Sequence, residues 1–317
     1  MEFDLIRRMV ENTPDSIEGV SVGPGDDAAV LEVEGSVVLS SDLAIEGVHF
    51  RREWLTLSEI GYRAVAAAMS DLAAMAARPV GILVSLAIPG AEAVESGPRI
   101  QEGIREACEL CGAALLGGDL SGSPGPLILD VMAVGSVERP VTRCGARPGD
   151  ELWVTGVLGG AASAVTAWEA NGEPGPALRS AFVRPVPRIA EAQWLADEGG
   201  VTAMIDLSDG LAGDAGHIAV ASGVGIVVEE ALIPTHPGLT SDPAMALALM
   251  GGEDYELCLT APSGRLGPLA GGFEDRFGVR LTQVGCVVEG GGVSLLRPGS
   301  TSPELLDASG FNHFSGR

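Results

Sequence analysis

Short apolar runs alternate with helical segments along this chain, and the alternation constrains its fold more than any other feature of the sequence. Runs such as Val80–Ile88 and Leu127–Val137 have the length and composition of strands. The segments Thr56–Ala77 and Pro98–Cys111 have the composition and periodicity of helices, and Thr56–Glu59 is a capping box at the start of the first. The second half of the chain repeats this alternation. The sequence therefore predicts an α/β fold.

The length of 317 residues allows two domains, each with its own apolar core. The polar stretch from Arg139–Pro140 to Asp150 separates two halves that both alternate strands and helices. We therefore expect an N-terminal domain over residues 1–139 and a C-terminal domain over residues 140–317.

Charge and composition exclude several classes of partner. The net charge of −24 argues against a surface for nucleic acid or anionic membrane. All 19 basic residues are Arg, so a Walker A loop and a Schiff-base lysine are excluded. No apolar run approaches the roughly 20 residues of a membrane span, and no export signal is visible. The five scattered cysteines are expected to be reduced thiols, and together these features predict a cytoplasmic protein.

Two hydroxyls, two carboxylates and an imidazole lie close together in the stretch Ser40–Phe50. Val30–Val33 and Val37–Ser41 resemble two strands joined by a Glu34–Gly35 turn. Such a hairpin would place Asp27 opposite Asp42, where like charges repel. A divalent cation between them is the simplest way to offset that repulsion.

Other acids follow strands or lie in an apolar helix, and they point to magnesium. Hard oxygen ligands of this kind, completed by Ser hydroxyls and water, suit Mg²⁺. Zinc is not expected, because the histidines lack metal-site spacing. The acids concerned are Asp26, Asp27, Asp42, Asp71, Asp119, Asp206, Asp209, Glu253 and Asp254.

Many carboxylates without Lys would bind nucleotide phosphates through bridging metal ions, which matches phosphoryl transfer. The motifs of a serine hydrolase and of a dinucleotide-binding fold are absent, and a glycosidase needs fewer acids. The glycine turn Gly156–Gly160 could present amides to a phosphate or could let a helix pack closely.

The motifs that carry this chemistry resemble the thiamine-monophosphate kinase family in order across residues 1–314. The wider superfamily includes aminoimidazole-ribonucleotide synthetase, and the last two motifs, with the His49 loop, narrow the resemblance. The motifs are Gly23–Val30, Ser40–Asp42, Glu46–Phe50, Ser70–Met75, Gly117–Asp119, Asp206–Leu211 and Gly251–Leu257.

The resemblance implies ATP-dependent phosphorylation of thiamine monophosphate to thiamine diphosphate by direct in-line transfer, without a covalent nucleophile. It also implies an N-terminal domain that binds ATP and magnesium and whose sheet pairs across a homodimer, and a larger C-terminal α/β domain. Three sets of site residues follow from it. The magnesium ligands would be Asp27, Ser40, Ser41, Asp42, Asp71, Asp119, Asp206 and Asp209. The ATP contacts would be Gly118, Asp119, Arg143 and Ser208, and the thiamine contacts would be His49, Glu253 and Phe311.

Several alternatives stay open at the level of sequence. Asp206 and Asp209 could cap the following helix, Arg143 could pair with a surface acid, and Phe311 could be a packing residue. Gln101 stands where the family has a Tyr beside the nucleotide. The rival functions are another ATP-dependent enzyme of the superfamily and a non-catalytic nucleotide-binding partner.

Overall fold

The computed structural model describes residues 18–23, 28–239 and 244–306. The chain forms two compact units. The N-terminal unit contains residues 1–72, 77–140 and 183–189, and the C-terminal unit contains residues 73–76, 141–182 and 190–317. Because each unit includes a short segment from the other half of the sequence, the single boundary at 139/140 stays a prediction.

The N-terminal unit is built on a four-stranded sheet of mixed direction. Its strand order is β3-β6-β4-β5, with β4 and β5 parallel and the other pairs antiparallel. A separate two-stranded sheet consists of β1 and β2. The strands are β1 Val20–Val22, β2 Val30–Leu31, β3 Ser36–Ile45, β4 Arg78–Pro89, β5 Ala114–Ser123 and β6 Ile128–Val137.

Two long helices, α1 (Leu57–Ala74) and α2 (Ala93–Cys111), belong to this unit apart from the last residues of α1. The predicted capping box begins α1, since the Thr56 amide donates to Glu59 Oε2 at 2.9 Å and the Glu59 amide donates to Thr56 Oγ1 at 3.3 Å. The two helices cross in close backbone contact. A Cβ on Gly103 would lie 1.7 Å from the Ser58 carbonyl oxygen.

The predicted hairpin between β2 and β3 is wrong. β2 pairs with β1, whereas β3 pairs with β6 over ten residues, from Ser36 opposite Val137 to Ile45 opposite Ile128. A ten-residue antiparallel ladder offers β3 more hydrogen bonds than the short hairpin would. The expected placement of Asp27 opposite Asp42 depended on that hairpin and loses its basis. Asp27 itself lies outside the described residues.

One face of the four-stranded sheet carries exposed apolar side chains. Val37, Leu39 and Leu43 alternate along β3 on this face, and Met132 of β6 lies opposite Ser41 on the same face. These four side chains are 40% to 64% exposed. An apolar sheet face in contact with water is a candidate interface.

The C-terminal unit contains a seven-stranded sheet with the order β13-β12-β9-β11-β7-β10-β8. Only the β9–β12 pair is parallel among the described strands of this sheet. The strands are β7 Asp150–Thr155, β8 Ala203–Asp206, β9 Gly225–Glu229, β10 Leu257–Pro262, β11 Leu281–Val288, β12 Gly292–Leu296 and β13 Glu304–Leu305.

Helices of the C-terminal half pack on this sheet and close an apolar core that includes Leu152, Ile205 and Ile218. The described helices are α3 Gly160–Glu169, α4 Pro176–Val183, α5 Ile189–Trp194, α6 Leu211–Ser222, α7 Ala244–Met250 and α8 Ala270–Phe277. The alternation of strands and helices in both units confirms the predicted α/β class.

All five cysteines are free thiols, and Cys108 is buried in α2. Among the described residues, the structure contains no helix with the length and apolarity needed to cross a bilayer.

The crossing of α1 and α2 generates a prediction. Gly103→Ala should lower the free energy of unfolding by more than about 2 kcal/mol, because the added methyl group overlaps a backbone carbonyl that cannot move alone. Chemical denaturation measures the change. Gly272→Ala in α8 is the control, since its Cβ meets no atom within 4 Å and Ala favours a helix. Equal stability of G103A and wild type would contradict the described crossing.

Candidate active site

Ser40, Asp42 and Asp71 form the first cluster of predicted site residues, in the N-terminal unit. The Ser40 hydroxyl on β3 donates to the Asp71 carboxylate on α1. Asp42, two residues along β3, lies on the same side of the strand. Burial raises the pKa of the Asp42 carboxyl, and the neighbouring Asp71 raises it further, while Arg63 acts in the opposite direction. A divalent cation would relieve this repulsion, so the cluster fits magnesium.

Ser41 lies on the opposite side of β3 from Ser40. Its hydroxyl donates to Oδ1 of Asp130 on β6 at 2.7 Å. Asp130 also contributes to the raised pKa of the Asp42 carboxyl, after burial and Asp71. The two serines, although adjacent in sequence, therefore belong to different polar clusters of the same strand.

Asp119 lies on the same row of the sheet as Asp130, because both residues pair with Ser85 of β4. β5 runs through Gly117 and Gly118 to Ser123, paired in parallel with β4. Gly118 has φ +153°, and a Cβ there would lie 1.8 Å from the Val84 carbonyl oxygen. Glycine is thus required for the strand to present Asp119, which is exposed.

His49 closes the loop that follows β3. The Ile45 amide donates to its Nδ1 at 3.0 Å, and the His49 amide donates to the Ile45 carbonyl oxygen at 2.9 Å. Because Nδ1 is an acceptor, the neutral ring carries its proton on Nε2. Glu46 steadies the same loop by an ion pair with Arg52 at 3.0 Å. The imidazole is therefore held against the start of its own loop through Nδ1.

The C-terminal unit brings Asp206, Ser208 and Asp209 together at the end of β8. Asp206 is buried, and Asp209 lies with Asp214 and His217 in a group whose ligand atoms are all within 4.8 Å of one another. Burial raises the pKa of the Asp214 carboxyl to about 8, and Asp206 and Asp209 contribute to the rise. This concentration of negative charge fits a divalent cation.

Gly210 is the N-cap residue of α6, so the capping alternative for Asp206 and Asp209 stays a prediction. Asp214 in the first turn of α6 accepts the Asp209 amide at 3.0 Å. The turn that carries Ser208 and Asp209 is therefore held by a side chain of the helix, the Asp214 carboxylate.

The loop Gly251–Glu256 packs directly on that turn. The Glu253 amide donates to the Ser208 carbonyl oxygen at 2.9 Å, and the Tyr255 amide donates to the Leu207 carbonyl oxygen at 2.8 Å. A Cβ on Gly252 would lie 2.2 Å from the Ser208 carbonyl oxygen, so glycine is needed at this contact. The two motifs of the C-terminal unit thus form one site.

Asp254 accounts for the glycine turn Gly156–Gly160. Its Oδ2 accepts the Gly159 amide at 2.7 Å, and its Oδ1 accepts the Ala161 amide at 3.4 Å. These are amides at the start of α3, where an anion is favoured. The internal carboxylate already occupies this position, so the phosphate-binding alternative for this turn is not supported.

The remaining predicted residues are placed less tightly. Arg143 is exposed, and its carbonyl oxygen accepts the Ser222 hydroxyl at 3.0 Å. Gln101 is half-buried in α2. Phe311 lies outside the described residues, as Asp27 does. The roles assigned to all the site residues stay predictions.

Sequence reasoning missed Asp130, Asp214, His217 and Tyr255. Asp214 and His217 are three residues apart on α6, a spacing that places both on one face and could have drawn attention to them. Asp130 had no such signal, because its partner is set by the pairing of β3 with β6.

Asp254 generates a prediction about pH. Burial raises the pKa of its carboxyl to about 7, although the Gly159 and Ala161 amides lower it. The folded state therefore holds a proton that the unfolded state releases near pH 4, so this group favours folding at low pH and loses that effect as pH rises through about 7. The free energy of unfolding of the wild type should therefore fall between pH 5 and pH 8. In Asp254→Asn this fall should be smaller by more than about 1 kcal/mol. Denaturation in EDTA at both pH values measures this, and an unchanged loss would contradict it.

Comparison with known proteins agrees with this geometry. The family described as AIR synthase related protein, N-terminal domain, matches residues 25–137, and AIR synthase related protein, C-terminal domain, matches residues 147–296. The thiamine-monophosphate kinase of Escherichia coli strain K12 is 34% identical over 328 aligned positions, which cover 99% of this chain and 98% of that kinase.

Two solved structures extend the comparison. AaThiL complexed with AMPPCP and TMP is 30% identical with a TM-score of 0.77, over 99% of this chain and 96% of that chain. E. coli HypE has a TM-score of 0.81 over 99% of both chains, but its identity of 19% shows a shared fold alone. The chain belongs to the AIR synthase related protein family, and within it to the thiamine-monophosphate kinases.

Proposed function

We propose that this chain transfers the terminal phosphoryl group of ATP to thiamine monophosphate (TMP), which yields thiamine diphosphate and ADP. The observation that carries the proposal is the repulsion among the carboxylates of each unit, which a divalent cation relieves. Asp42 with Asp71, and Asp214 with Asp206 and Asp209, are held close together and partly buried. In a family of kinases, such clusters are the expected sites of the metal ions that bind phosphates.

The magnesium ions would be held by the predicted ligands Asp27, Ser40, Ser41, Asp42, Asp71, Asp119, Asp206 and Asp209. When bound, they would neutralise the phosphate oxygens and the charge that develops during transfer. Ser40 and Asp71 are pre-oriented by their mutual hydrogen bond, and the Ser208–Asp209 turn is fixed by Asp214. Each of the two clusters is therefore largely formed before ligands arrive.

Protein groups complete the positioning of both substrates. We assign the ATP contacts to Gly118, Asp119, Arg143 and Ser208, and the thiamine contacts to His49, Glu253 and Phe311. The contact from His49 would be made through Nε2, since Nδ1 accepts the Ile45 amide. No general base is needed, because the attacking phosphate oxygen of TMP is already ionised near neutral pH. The residues orient the two phosphates for in-line transfer.

The alternative functions give different outcomes with the purified protein. Incubation with ATP, Mg²⁺ and TMP should produce thiamine diphosphate. ATP binding without turnover of TMP would favour a non-catalytic nucleotide-binding partner. ATP hydrolysis coupled to a different acceptor would favour another enzyme of the superfamily.

Asp42→Asn should lower turnover of TMP by more than about 100-fold, because an amide binds magnesium much more weakly than a carboxylate does. The free variant should unfold at the same or a higher denaturant concentration in EDTA, since the substitution removes a repelled carboxylate. Asp275→Asn, at an exposed position of α8, is the matched control. Turnover of D42N near the wild-type rate at low magnesium would contradict the assignment of Asp42 as a magnesium ligand.

We also propose that two copies of the chain associate through the exposed face of the four-stranded sheet. Val37, Leu39, Leu43 and Met132 give this face an apolar surface that a second copy of the same sheet would cover. The cytoplasm is the proposed compartment, since it supplies ATP and keeps the five free cysteines reduced.

Leu39→Glu should convert the proposed dimer to a monomer, because a charge would be buried on both sides of the interface. Sedimentation velocity of wild type and variant measures the change. Val220→Glu is the matched control, since Val220 is 82% exposed on α6 and lies in the other unit. A monomeric wild type, or a dimeric L39E variant, would contradict the proposed interface.

A further inference from the structure

We propose that Tyr255 is a positioning residue for Glu253, whose carboxylate it holds in the orientation that receives the thiamine moiety. The Tyr255 hydroxyl donates to Glu253 Oε2 at 2.9 Å. The inference rests on the proposed function, because the contact between Glu253 and TMP belongs to it. It goes further by assigning a role to a residue that itself need not touch the substrate.

The backbone around this pair is strained. Glu253 has φ +74° and Tyr255 has φ +51°, both in the left-handed region that residues other than glycine rarely adopt. Only Ala76 and Asn171 share this property among the non-glycine residues that the structure describes. Two such residues on either side of Asp254 cost free energy, and such strain persists where the surroundings enforce it.

Three contacts hold this backbone without the Tyr255 hydroxyl. The amides of Glu253 and Tyr255 bond to the carbonyl oxygens of Ser208 and Leu207, and the Asp254 carboxylate bonds to the amide of Gly159. The loop conformation is therefore fixed by groups other than the phenol. The hydroxyl itself donates to the carboxylate of Glu253.

Orientation of that carboxylate matters because a Glu side chain has several rotatable bonds. The Tyr255 ring is buried, so its hydroxyl is a fixed donor rather than a mobile one. A donor of this kind reduces the orientations open to the Glu253 carboxylate before the ligand binds. The thiazolium ring of TMP carries a permanent positive charge, and a pre-oriented carboxylate binds a cation better than a mobile one does.

Tyr255→Phe removes only the hydroxyl and tests the proposal. The KM for TMP and its Kd, measured by calorimetry, should rise about tenfold, as expected from the loss of one hydrogen bond to a charged group. The kcat and the KM for ATP should stay within about twofold of wild type. In a Glu253→Gln background, Y255F should have little further effect on TMP binding.

The chain offers a matched control in its other tyrosine. Tyr62 is also buried, and its hydroxyl donates to the Pro185 carbonyl oxygen at 3.1 Å, without contact to Glu253. Tyr62→Phe should leave TMP binding unchanged. An unchanged KM for TMP in Y255F would overturn the positioning role. So would similar changes in the KM for TMP, the KM for ATP and kcat.

Failure of the proposed function gives a different result. If the wild type makes no thiamine diphosphate and binds no TMP, the function is refuted, and crystal structures of wild type and Y255F then decide the positioning role. A Glu253 carboxylate that keeps its place in Y255F overturns the proposal, and one that moves supports it.

Discussion

Each unit holds neighbouring carboxylates together against their mutual electrostatic repulsion, and the rest of each candidate site depends on this constraint. Asp42 lies beside Asp71, and Asp214 lies beside Asp206 and Asp209. Each group is kept together by the surrounding hydrogen bonds and packing rather than by attraction between its members. A folded chain that holds such groups in place carries a cost in stability, which a bound cation would remove. Each cluster is thus arranged for its ligands at a cost in stability to the free protein.

Glycine makes this arrangement possible at the points where backbones meet. Gly118 lets β5 lie against β4 beside Asp119, and Gly252 lets the loop of Glu253 lie on the turn of Ser208. In both places any side chain would overlap a carbonyl oxygen. The acids are therefore presented by backbone segments in direct contact, which allows little movement between them. Rigid presentation suits a reaction in which catalysis is mostly positioning.

The sequence predicted local features well and long-range pairings poorly. The capping box at Thr56, the helix around Asp71 and the strand before Asp206 follow from neighbouring residues, and the structure contains them. The partner of β3 could not be derived, because the choice between β2 and β6 depends on the length of a ladder formed with residues 83 to 101 positions away. Asp130 was missed for the same reason. The positions of Tyr255 and Asp254 depend on positive φ angles that no pattern in the sequence indicates.

Because Ser40 and Ser41 point to opposite faces of the sheet, the register of β3 decides which side chains reach each face. A slip of one residue against β6 would turn Leu39 and Leu43 toward α1 and would expose Asp42 on the other face. Insertions or deletions inside this strand should therefore be far more damaging than substitutions that keep its length. Changes of length can be absorbed only beyond its ends, so the strand sets a fixed spacing between the loop of His49 and the rest of the unit.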